Sequence, residues 1–437
     1  MLIPINHVNT FSRINYTDQQ SAVISWPDLS GNNRANVLHT GLPMPNSFTV
    51  ARLPRIEFGP GTLTRLPAIV RQYGRRVLLV TGAKSFAASP RWHTLTAQFE
   101  QDRIDWRCIH VTEEPSPTLV DDVVRELHGQ PFDTVVGIGG GSTLDAAKAI
   151  AGLLRPGNSV MDHLEGVGPE LPYMGPATPY IAIPTTAGTG SEATKNAVLS
   201  QHGEAGFKKS FRDDRLVAEY ALIDPDLLDS CPPAIIAANG MDAFTQLLES
   251  YLSIRANPFT DTLALSGMEA VRDSLLPWFE GTGDAAEHRS RMAYAALLSG
   301  ITLAQVGLGS VHGLAAPLGA FFPIPHGAVC GTLVAEATRI NIEALITHTP
   351  DSPALGKYAA VGRLLSRRSL PDEAGRHALL DILDDWTRRL AMPRLGSYGV
   401  AAEDVSRIVA DCRGSSMKTN PIRLSDDDIA RLIKARL

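Results

Sequence analysis

The sequence has little of what marks several large protein classes. Its four cysteines lie far apart with no CxxC pair, which argues against a disulfide scaffold and predicts reduced thiols in a cytoplasmic protein. No apolar run approaches the roughly 18 residues needed to span a membrane. The net charge of −6 argues against nucleic acid as the main partner. With 44% hydrophobic and 20% charged residues, the composition is typical of a soluble globular protein without a membrane partner.

The chain is long enough for more than one domain. At 437 residues it exceeds what one hydrophobic core usually supports. Residues 1–46 are polar and lack a basic region followed by an apolar core, so we expect an N-terminal extension rather than a secretory signal. Residues 47–231 alternate strand and helix patterns, which predicts a doubly wound α/β domain. Residues 232–437 show mainly helical periods, so a helical domain follows, and the cleft between the two is the expected site.

Short apolar runs bounded by turn residues predict the strands of the α/β domain. The first two are expected at residues 48–50 and 55–58, and a helix at about 62–73 follows them. Residues 77–80 and 134–138 have the continuous hydrophobicity of buried parallel strands. Parallel strands with helical crossovers indicate a sheet that is covered on both faces.

Two glycine-containing loops follow predicted strands. The first, residues 139–142, has the sequence Gly-Gly-Gly-Ser and opens a helix. Glycines let backbone amides approach a phosphate, and the positive end of the helix points at the same place. A tight strand-to-helix turn that merely needs glycine explains the pattern equally well. The second loop, residues 184–192, follows a strand predicted at 180–183, and strand ends of this kind are where α/β sheets bind ligands.

A candidate metal site lies in the helical half. One carboxylate, Asp242, and two imidazoles, His312 and His326, occur in otherwise apolar helix-forming sequence. Gln246 follows Asp242 by one helical turn and shares its face. Glycines and prolines between the two histidines predict a turn that could return both rings to one point. The alternative is that these are hydrogen-bonded core residues, which are more common than metal ligands.

Together these motifs resemble those of the iron-dependent (group III) alcohol dehydrogenases. The resemblance runs from about residue 48 to the C-terminus. It rests on both glycine loops, Asp224-Pro225, the Gly-Met-Asp-Ala segment at 240–243 and the His-Gly pairs at 312 and 326. It implies an N-terminal dinucleotide-binding domain followed by an all-helical metal-binding domain. It also implies hydride transfer between NAD or NADP and an alcohol or aldehyde, with Fe²⁺ or Zn²⁺ as the metal and a homodimer or larger homo-oligomer.

The resemblance assigns roles residue by residue. Asp242, His312 and His326 are the expected catalytic metal ligands, and Gln246 is a fourth, weaker candidate. The expected cofactor-binding residues are Gly82, Ser116, Gly140, Gly141, Ser142, Asp145, Thr185, Thr186, Thr189, Ser191 and Lys208. For Lys208 the alternative is a solvated surface lysine. Phe321 and Phe322, between the two histidines, and the residues around Gly307 to Ser310 are candidates for the substrate pocket.

Three positions depart from the family pattern. Gln246 stands where members commonly have a histidine ligand, and an amide oxygen is a harder, weaker donor. Ala316 replaces a histidine credited with proton transfer, so water or the cofactor ribose would take the proton. Gly82 stands where NAD-preferring relatives often have an acidic residue that rejects a 2′-phosphate. With Lys84 and Ser85 beside it, this position favours NADP or the use of both cofactors.

Three other functions remain open at this point. One is a metal-independent reductase that resembles the maleylacetate reductases. Another is a non-redox enzyme that resembles dehydroquinate synthase, which the glycine loop and the Gly-Met-Asp-Ala segment fit poorly. The last is a binding protein that has lost catalysis, which Gln246 and Ala316 would explain.

Overall fold

The apolar runs of the first half form a parallel β-sheet. The computed structural model describes residues 47–83, 85–203 and 206–437, so the predicted extension at 1–46 and Lys84 lie outside the described residues. The strands, in chain order, are β1 Arg55–Phe58, β2 Arg76–Gly82, β3 Asp105–Val111, β4 Thr134–Gly139, β5 Tyr180–Pro184, β6 Asn196–Gln201, β7 Phe207–Arg212 and β8 Tyr220–Ile223. Six form one sheet in the order β1-β8-β5-β4-β2-β3, and β6 and β7 form a separate antiparallel hairpin.

The order of the strands creates a crevice at one edge of the sheet. All neighbouring strands are parallel, and β2 pairs with β3 on one side and β4 on the other. Such a reversal of winding is where α/β sheets bind ligands. Gly82 is in register with Val111, and Gly139 with Pro184. The carboxyl ends of these strands therefore meet, and the loops that follow them lie close together.

Helices cover both faces of the sheet, as the continuous apolar strands predict. The helices of this half are α1 Leu66–Val70, α2 Pro90–Gln101, α3 Pro117–Leu127 and α4 Gly141–Leu153. Alternate residues of β2 belong to two different cores: Val77 and Leu79 pack on the side of α1 and α2, Leu78 and Val80 on the side of α3 and α4. Because successive side chains of a strand point to opposite faces, this division shows a doubly wound sheet.

Some local predictions for this half were wrong. Residues 48–50 are not a strand; Phe48 and Val50 are exposed at 45% and 42%, so this run has no core to pack against. The helix predicted at 62–73 is a 3₁₀ turn, Thr62–Arg65, followed by the short α1. Pro67 in the first turn of α1 lacks an N–H, which confines the α-helix to the residues around and after it. The hairpin β6–β7 was not predicted, since its charged sequence lacks an apolar alternation.

The second half is a bundle of helices, as predicted. Its helices are α5 Pro233–Leu252, α6 Pro258–Glu280, α7 Ala285–Val306, α8 Ser310–Phe321, α9 His326–His348, α10 Pro353–Ser366, α11 Asp372–Arg389, α12 Val405–Asp411 and α13 Asp426–Ala435. The last helix begins with a capping box, in which Ser425 accepts a hydrogen bond from the Asp428 amide at 3.1 Å. No single helix among the described residues is long and apolar enough to cross a membrane; α7 and α8 meet that condition only as a pair bent by 99°.

Helix α5 forms the centre of the helical half. Every residue from Gly240 to Leu252 is buried, so a polar side chain on this stretch depends on protein partners rather than water. The two halves pack closely, and a Cβ on Gly300 of α7 would lie only 2.1 Å from the carbonyl oxygen of Gly190 in the second glycine loop. Residues 45–437 accordingly form one compact unit. The domain boundary at 231 stays a prediction.

Candidate active site

Three helices bring the predicted metal ligands together. Asp242 lies on α5, His312 on α8, and His326 is the first residue of α9. The Nε2 atoms of His312 and His326 lie 3.3 Å and 3.7 Å from the same atom, Oδ1 of Asp242. The short connection between α8 and α9 folds the chain back, and the two ring centroids are 5.4 Å apart.

A fourth donor, Cys330, joins them and was not predicted from the sequence. Its Sγ atom lies 3.6 Å from Nε2 of His312 and 3.9 Å from Nε2 of His326. One ligand atom from each of the four residues lies within 4.8 Å of the other three, and we call this group the ligand cluster. The available signal was helical spacing, since Cys330 follows His326 by one turn and therefore shares its face.

Glu249 holds the His312 ring in place. Its carboxylate accepts hydrogen bonds from Nδ1 of His312 at 2.7 Å and from the amides of Gly309 and Val311 at 2.9 and 2.7 Å. With Nδ1 donating to Glu249, the lone pair of Nε2 points into the ligand cluster. A carboxylate behind a ligating histidine is the usual outer partner in metal sites. Glu249 was also not predicted; it lies on the buried face of α5.

Burial and mutual contacts shift the pKa values of all four residues of the ligand cluster. Burial alone raises the pKa of the Asp242 carboxyl, yet the neighbouring imidazoles lower it to about 2. Burial lowers the pKa of His312, but the Cys330 sulfur and the Asp242 and Glu249 carboxylates more than offset this and raise it well above its usual range. Burial also lowers the pKa of His326 and raises that of the Cys330 thiol to about 12. The ionised Asp242 carboxylate and the two imidazoles that face it are donors of the kind that a divalent ion binds.

Several buried atoms at the cluster have no hydrogen-bond partner within the described part of the chain. They are Oδ2 of Asp242, Oε1 of Gln246 and Nδ1 of His326. Leaving such atoms unpaired costs about 1–3 kcal/mol each, so a partner that binds them is expected. Nitrogen, oxygen and sulfur donors in this number fit a zinc or iron site. The residues present thus fit a bound divalent metal.

The carboxyl edge of the sheet forms the opposite side of the site. The two glycine loops, residues 139–142 and 184–192, approach each other there, and we call them the glycine edge. A Cβ on Gly140 would lie 3.2 Å from Oγ1 of Thr186, and one on Gly141 would lie 2.7 Å from Oγ1 of Thr189. Gly140 caps α4 without a side-chain hydrogen bond, and Ser142 is exposed. Free amides at a helix N-terminus beside open space fit a pyrophosphate group.

Two predicted cofactor residues bind each other. Ser191 donates from Oγ to Oδ1 of Asp145 at 2.5 Å, and the amide of Val198 donates to Oδ2 at 3.1 Å. The fully buried Lys148 donates to the carbonyl and hydroxyl oxygens of Ser191 and to Oγ1 of Thr194, all at 2.8–2.9 Å. This network fixes the second glycine loop on α4.

Three further predicted cofactor residues are partly occupied by structural contacts. The Ser116 hydroxyl accepts from the amide of Leu119 at 3.1 Å and caps α3. Thr185 is buried and its amide donates to the carbonyl of Gly139 at 3.0 Å. Gly82 ends β2 at the same sheet edge. Gly82 and Thr185 lie at strand ends beside the crevice, whereas Ser116 lies at the start of α3, where its hydroxyl oxygen accepts the Leu119 amide.

Lys208 is not a solvated lysine. Its Nζ atom lies 2.7 and 2.9 Å from the two carboxylate oxygens of Glu114, and its side chain is 10% exposed. Glu114 also accepts from the Ser200 hydroxyl at 2.7 Å, and its pKa is lowered, because the Lys208 cation offsets the effect of burial. Lys208 is therefore held at the cavity wall by its ion pair with Glu114.

A cavity of about 560 Å³ connects the two sides. Its walls include Gly141, Ser142, Asp145, Thr189, Ser191 and Lys208 from the α/β half, and Gln246, His312, Ala316 and His326 from the helical half. A ligand in this cavity can touch the glycine edge and the ligand cluster at once. Phe321 and Phe322 do not line it; they pack near the Arg407 guanidinium, 4.5 and 5.6 Å from their ring centres. Their proposed role as pocket residues was wrong.

Comparisons with known proteins show which family the chain belongs to. The family described as iron-containing alcohol dehydrogenase matches residues 54–225, and the C-terminal part of the Fe-containing alcohol dehydrogenase family matches residues 236–437. Alcohol dehydrogenase 4 of Saccharomyces cerevisiae is 30% identical over 394 residues, which are 89% of this chain and 98% of that protein. Lactaldehyde reductase of Escherichia coli is 30% identical over 386 residues, 86% of this chain and 96% of that protein.

Solved structures show the same architecture. A halo-thermophilic archaeal alcohol dehydrogenase from a Red Sea brine pool superimposes with a TM-score of 0.82 at 25% identity, covering 91% of this chain and 100% of that one. Sulfoacetaldehyde reductase from Bifidobacterium kashiwanohense, solved with NAD⁺, gives 0.77 at 25% identity over 90% and 99% of the two chains. The α/β half, the helical half and the match over nearly the whole chain lead to one assignment: this protein belongs to the iron-containing alcohol dehydrogenase family.

Proposed function

We propose that the chain catalyses reversible hydride transfer between NAD(P) and a small alcohol or aldehyde, at a divalent metal held by Asp242, His312 and His326. The observation that carries the proposal is that the three residues converge and that His312 and His326 line one side of a cavity whose other side is the glycine edge. When bound, the metal polarises the substrate oxygen as a Lewis acid and the nicotinamide exchanges the hydride. The rest of the chemistry falls to the protein.

The protein positions the metal ligands and the cofactor, and it excludes water from the site. Glu249 fixes the His312 ring, and the fully buried Asp242 supplies negative charge from a helix that cannot move freely in the core. Gly140 and Gly141 present backbone amides to the pyrophosphate, while Lys148 and Asp145 hold the loop that would face the nicotinamide half. Positioning of this kind supplies much of the barrier reduction in hydride transfer.

Within the described residues, the cavity has no imidazole besides those of His312 and His326 to transfer a proton. Ala316 lines the cavity at the position where the family commonly has a histidine that relays protons. Its methyl group has no ionisable proton. We propose that the proton exchanges with water in the cavity or with the cofactor ribose.

For the cofactor we propose NADP, with NAD as a second option. Gly82 supports this, because it carries no carboxylate that would repel a 2′-phosphate. For the metal we propose Fe²⁺ or Zn²⁺. Comparing kcat/KM for NADPH and NADH on one preparation tests the first choice, and elemental analysis of the same sample tests the second.

We also propose a cytoplasmic homodimer or larger homo-oligomer. All four cysteines are free thiols, as a reducing compartment requires. The sheet ends in β1, an edge strand with Ile56 and Phe58 exposed at 37% and 41%, which suits burial against a second copy. Light scattering coupled to gel filtration gives the mass; a monomer over the working concentration range would contradict this part.

The experiment that tests the function is a substrate screen under controlled metal content. Aldehydes with NADPH or NADH, and alcohols with the oxidised cofactors, are assayed before chelation, after chelation, and after return of Zn²⁺ or Fe²⁺. We expect turnover that is lost on chelation and restored by metal. Full turnover after chelation would instead indicate the metal-independent reductase.

A further inference from the structure

Cys330 lies inside the ligand cluster rather than beside it. The thiol is fully buried on α9, and its neighbours across the cluster are the Nε2 atoms of His312 and His326 at 3.6 and 3.9 Å. The sulfur therefore faces the same nitrogen atoms that would bind a metal. Nothing in the activity proposed above requires a thiol at this place.

Four of the six distances between the donor atoms of the cluster match those around a tetrahedral ion. Bonds of about 2.3 Å to sulfur and about 2.0–2.1 Å to nitrogen or oxygen, at tetrahedral angles, give edges of about 3.4 Å between N or O atoms and about 3.6 Å between N and S. The observed separations are 3.3 and 3.7 Å from Asp242 to the two histidines, and 3.6 and 3.9 Å from Cys330 to them. Each agrees to within a few tenths of an ångström.

Gln246 is the competing fourth donor. Its Oε1 is buried without a partner among the described residues, and it lies one turn after Asp242. An amide oxygen is neutral and hard, however, whereas the common zinc donors are thiolate, imidazole and carboxylate.

We propose that Cys330 is the fourth protein ligand of the metal, which makes the site Asp-His-His-Cys and favours Zn²⁺ over Fe²⁺. The inference rests on the metal site of the proposed function. On binding, the thiol gives its proton to solvent as the sulfur–metal bond forms. Gln246 then remains free to contact substrate or water, and turnover stays possible because catalytic zinc sites expand to five ligands. The alternative is that Cys330 is a small apolar core residue.

The test replaces the metal with Co²⁺ in the full-length protein and records the absorption spectrum. A thiolate ligand gives sulfur-to-cobalt charge transfer in the near ultraviolet, which nitrogen and oxygen ligands do not. We expect the band in the wild type and in Gln246→Ala, and its loss in Cys330→Ser and Cys330→Ala. Cys412→Ser is the matched control, because that thiol is also fully buried but donates to the carbonyl of Val409 at 3.2 Å, outside the cluster.

Zinc affinity, measured by competition with a chromophoric chelator, gives a second readout that is independent of turnover. We expect a loss of roughly 100-fold or more in both Cys330 variants, since even an outer-shell partner contributes 10- to 100-fold. Cobalt bound by the wild type without the band, or unchanged zinc affinity in the Cys330 variants, would overturn the inference and leave the metal on Asp242, His312 and His326. Failure of the wild type to bind either ion would contradict the proposed function as well.

Discussion

The glycine edge and the ligand cluster face each other across one cavity but are built in different ways. The glycine edge is made of backbone at the ends of neighbouring parallel strands, so the order of strands alone brings Gly82, Gly139 and Pro184 together. The ligand cluster is made of side chains from three helices that meet only in the packed core. The first is fixed by topology and the second by packing. A substitution at one should therefore damage a different step from a substitution at the other.

The largest effect is expected at the cluster. Asp242→Ala removes the oxygen that both histidines approach, so metal content should fall to background and kcat/KM by roughly 1,000-fold or more, since Lewis-acid polarisation supplies several kcal/mol. Cofactor binding, followed by nucleotide fluorescence, should persist. His377→Ala, at an exposed histidine on α11, is the control and should behave as the wild type. Turnover by Asp242→Ala without bound metal would contradict the metal-binding role of the ligand cluster.

A smaller effect is expected at the glycine edge, where cofactor affinity should fall while metal content stays unchanged. Gly141→Ala places a Cβ 2.7 Å from Oγ1 of Thr189 and pushes the pyrophosphate-binding amides away. Cofactor affinity should fall roughly 10- to 100-fold, because hydrogen bonds to charged groups contribute about 1.5–3 kcal/mol. Zinc content should not change. Gly356→Ala in α10, where an added Cβ meets nothing within 4 Å, is the matched control. Equal cofactor affinity in both variants would contradict the phosphate role.

The outer partner of His312 should matter less than the ligands. Glu249→Gln keeps the shape but weakens the bond to Nδ1, so zinc affinity should fall roughly tenfold or more. The control is Glu343→Gln, which removes an exposed charge paired with Arg431. Chelator competition measures both. If the two variants bind zinc equally well, Glu249 serves only to cap the amides at the start of α8.

The smallest effect is expected at the opposite edge of the sheet, where the strands begin, far from the proposed active site. Hydrogen bonds from the Arg76 side chain, helped by the amides of Arg75 and Arg76, lower the pKa of Asp133 to about 2. A carboxyl whose folded pKa is depressed stabilises the fold above its ordinary pKa of about 3.9, and that contribution is lost as pH falls toward 2. Asp133→Asn should cost about 1 kcal/mol at pH 7 and little at pH 2, by urea unfolding. Its kcat should equal that of the wild type.

Sequence alone predicted most of the fold, for a physical reason. Continuous apolar runs such as those at 77–80 and 134–138 occur where a parallel strand is buried on both faces, and that pattern is local. The hairpin β6–β7 was not predicted because Lys208 and Lys209 interrupt any apolar alternation. Residues 48–50 were wrongly predicted to form a strand, since the apolar residues there are exposed.

The site was predictable only in part. Asp242, His312 and His326 belong to recognisable motifs, and the structure brings them together. Cys330 and Glu249 carry no motif, and their roles depend on which helix faces pack inward. Spacing by one turn from His326 was the only local trace of Cys330. The hydrogen bond between Asp145 and Ser191 could not be predicted either, because it joins helix α4 to the separate second glycine loop.

X-ray diffraction from crystals of the metal-loaded protein, at wavelengths on either side of the zinc and iron absorption edges, tests the central claim most directly. The account predicts one anomalous peak within bonding distance of Asp242, His312 and His326, on the side of the cavity opposite the glycine edge. A metal bound elsewhere, or the three side chains closed on one another with no peak between them, would contradict it.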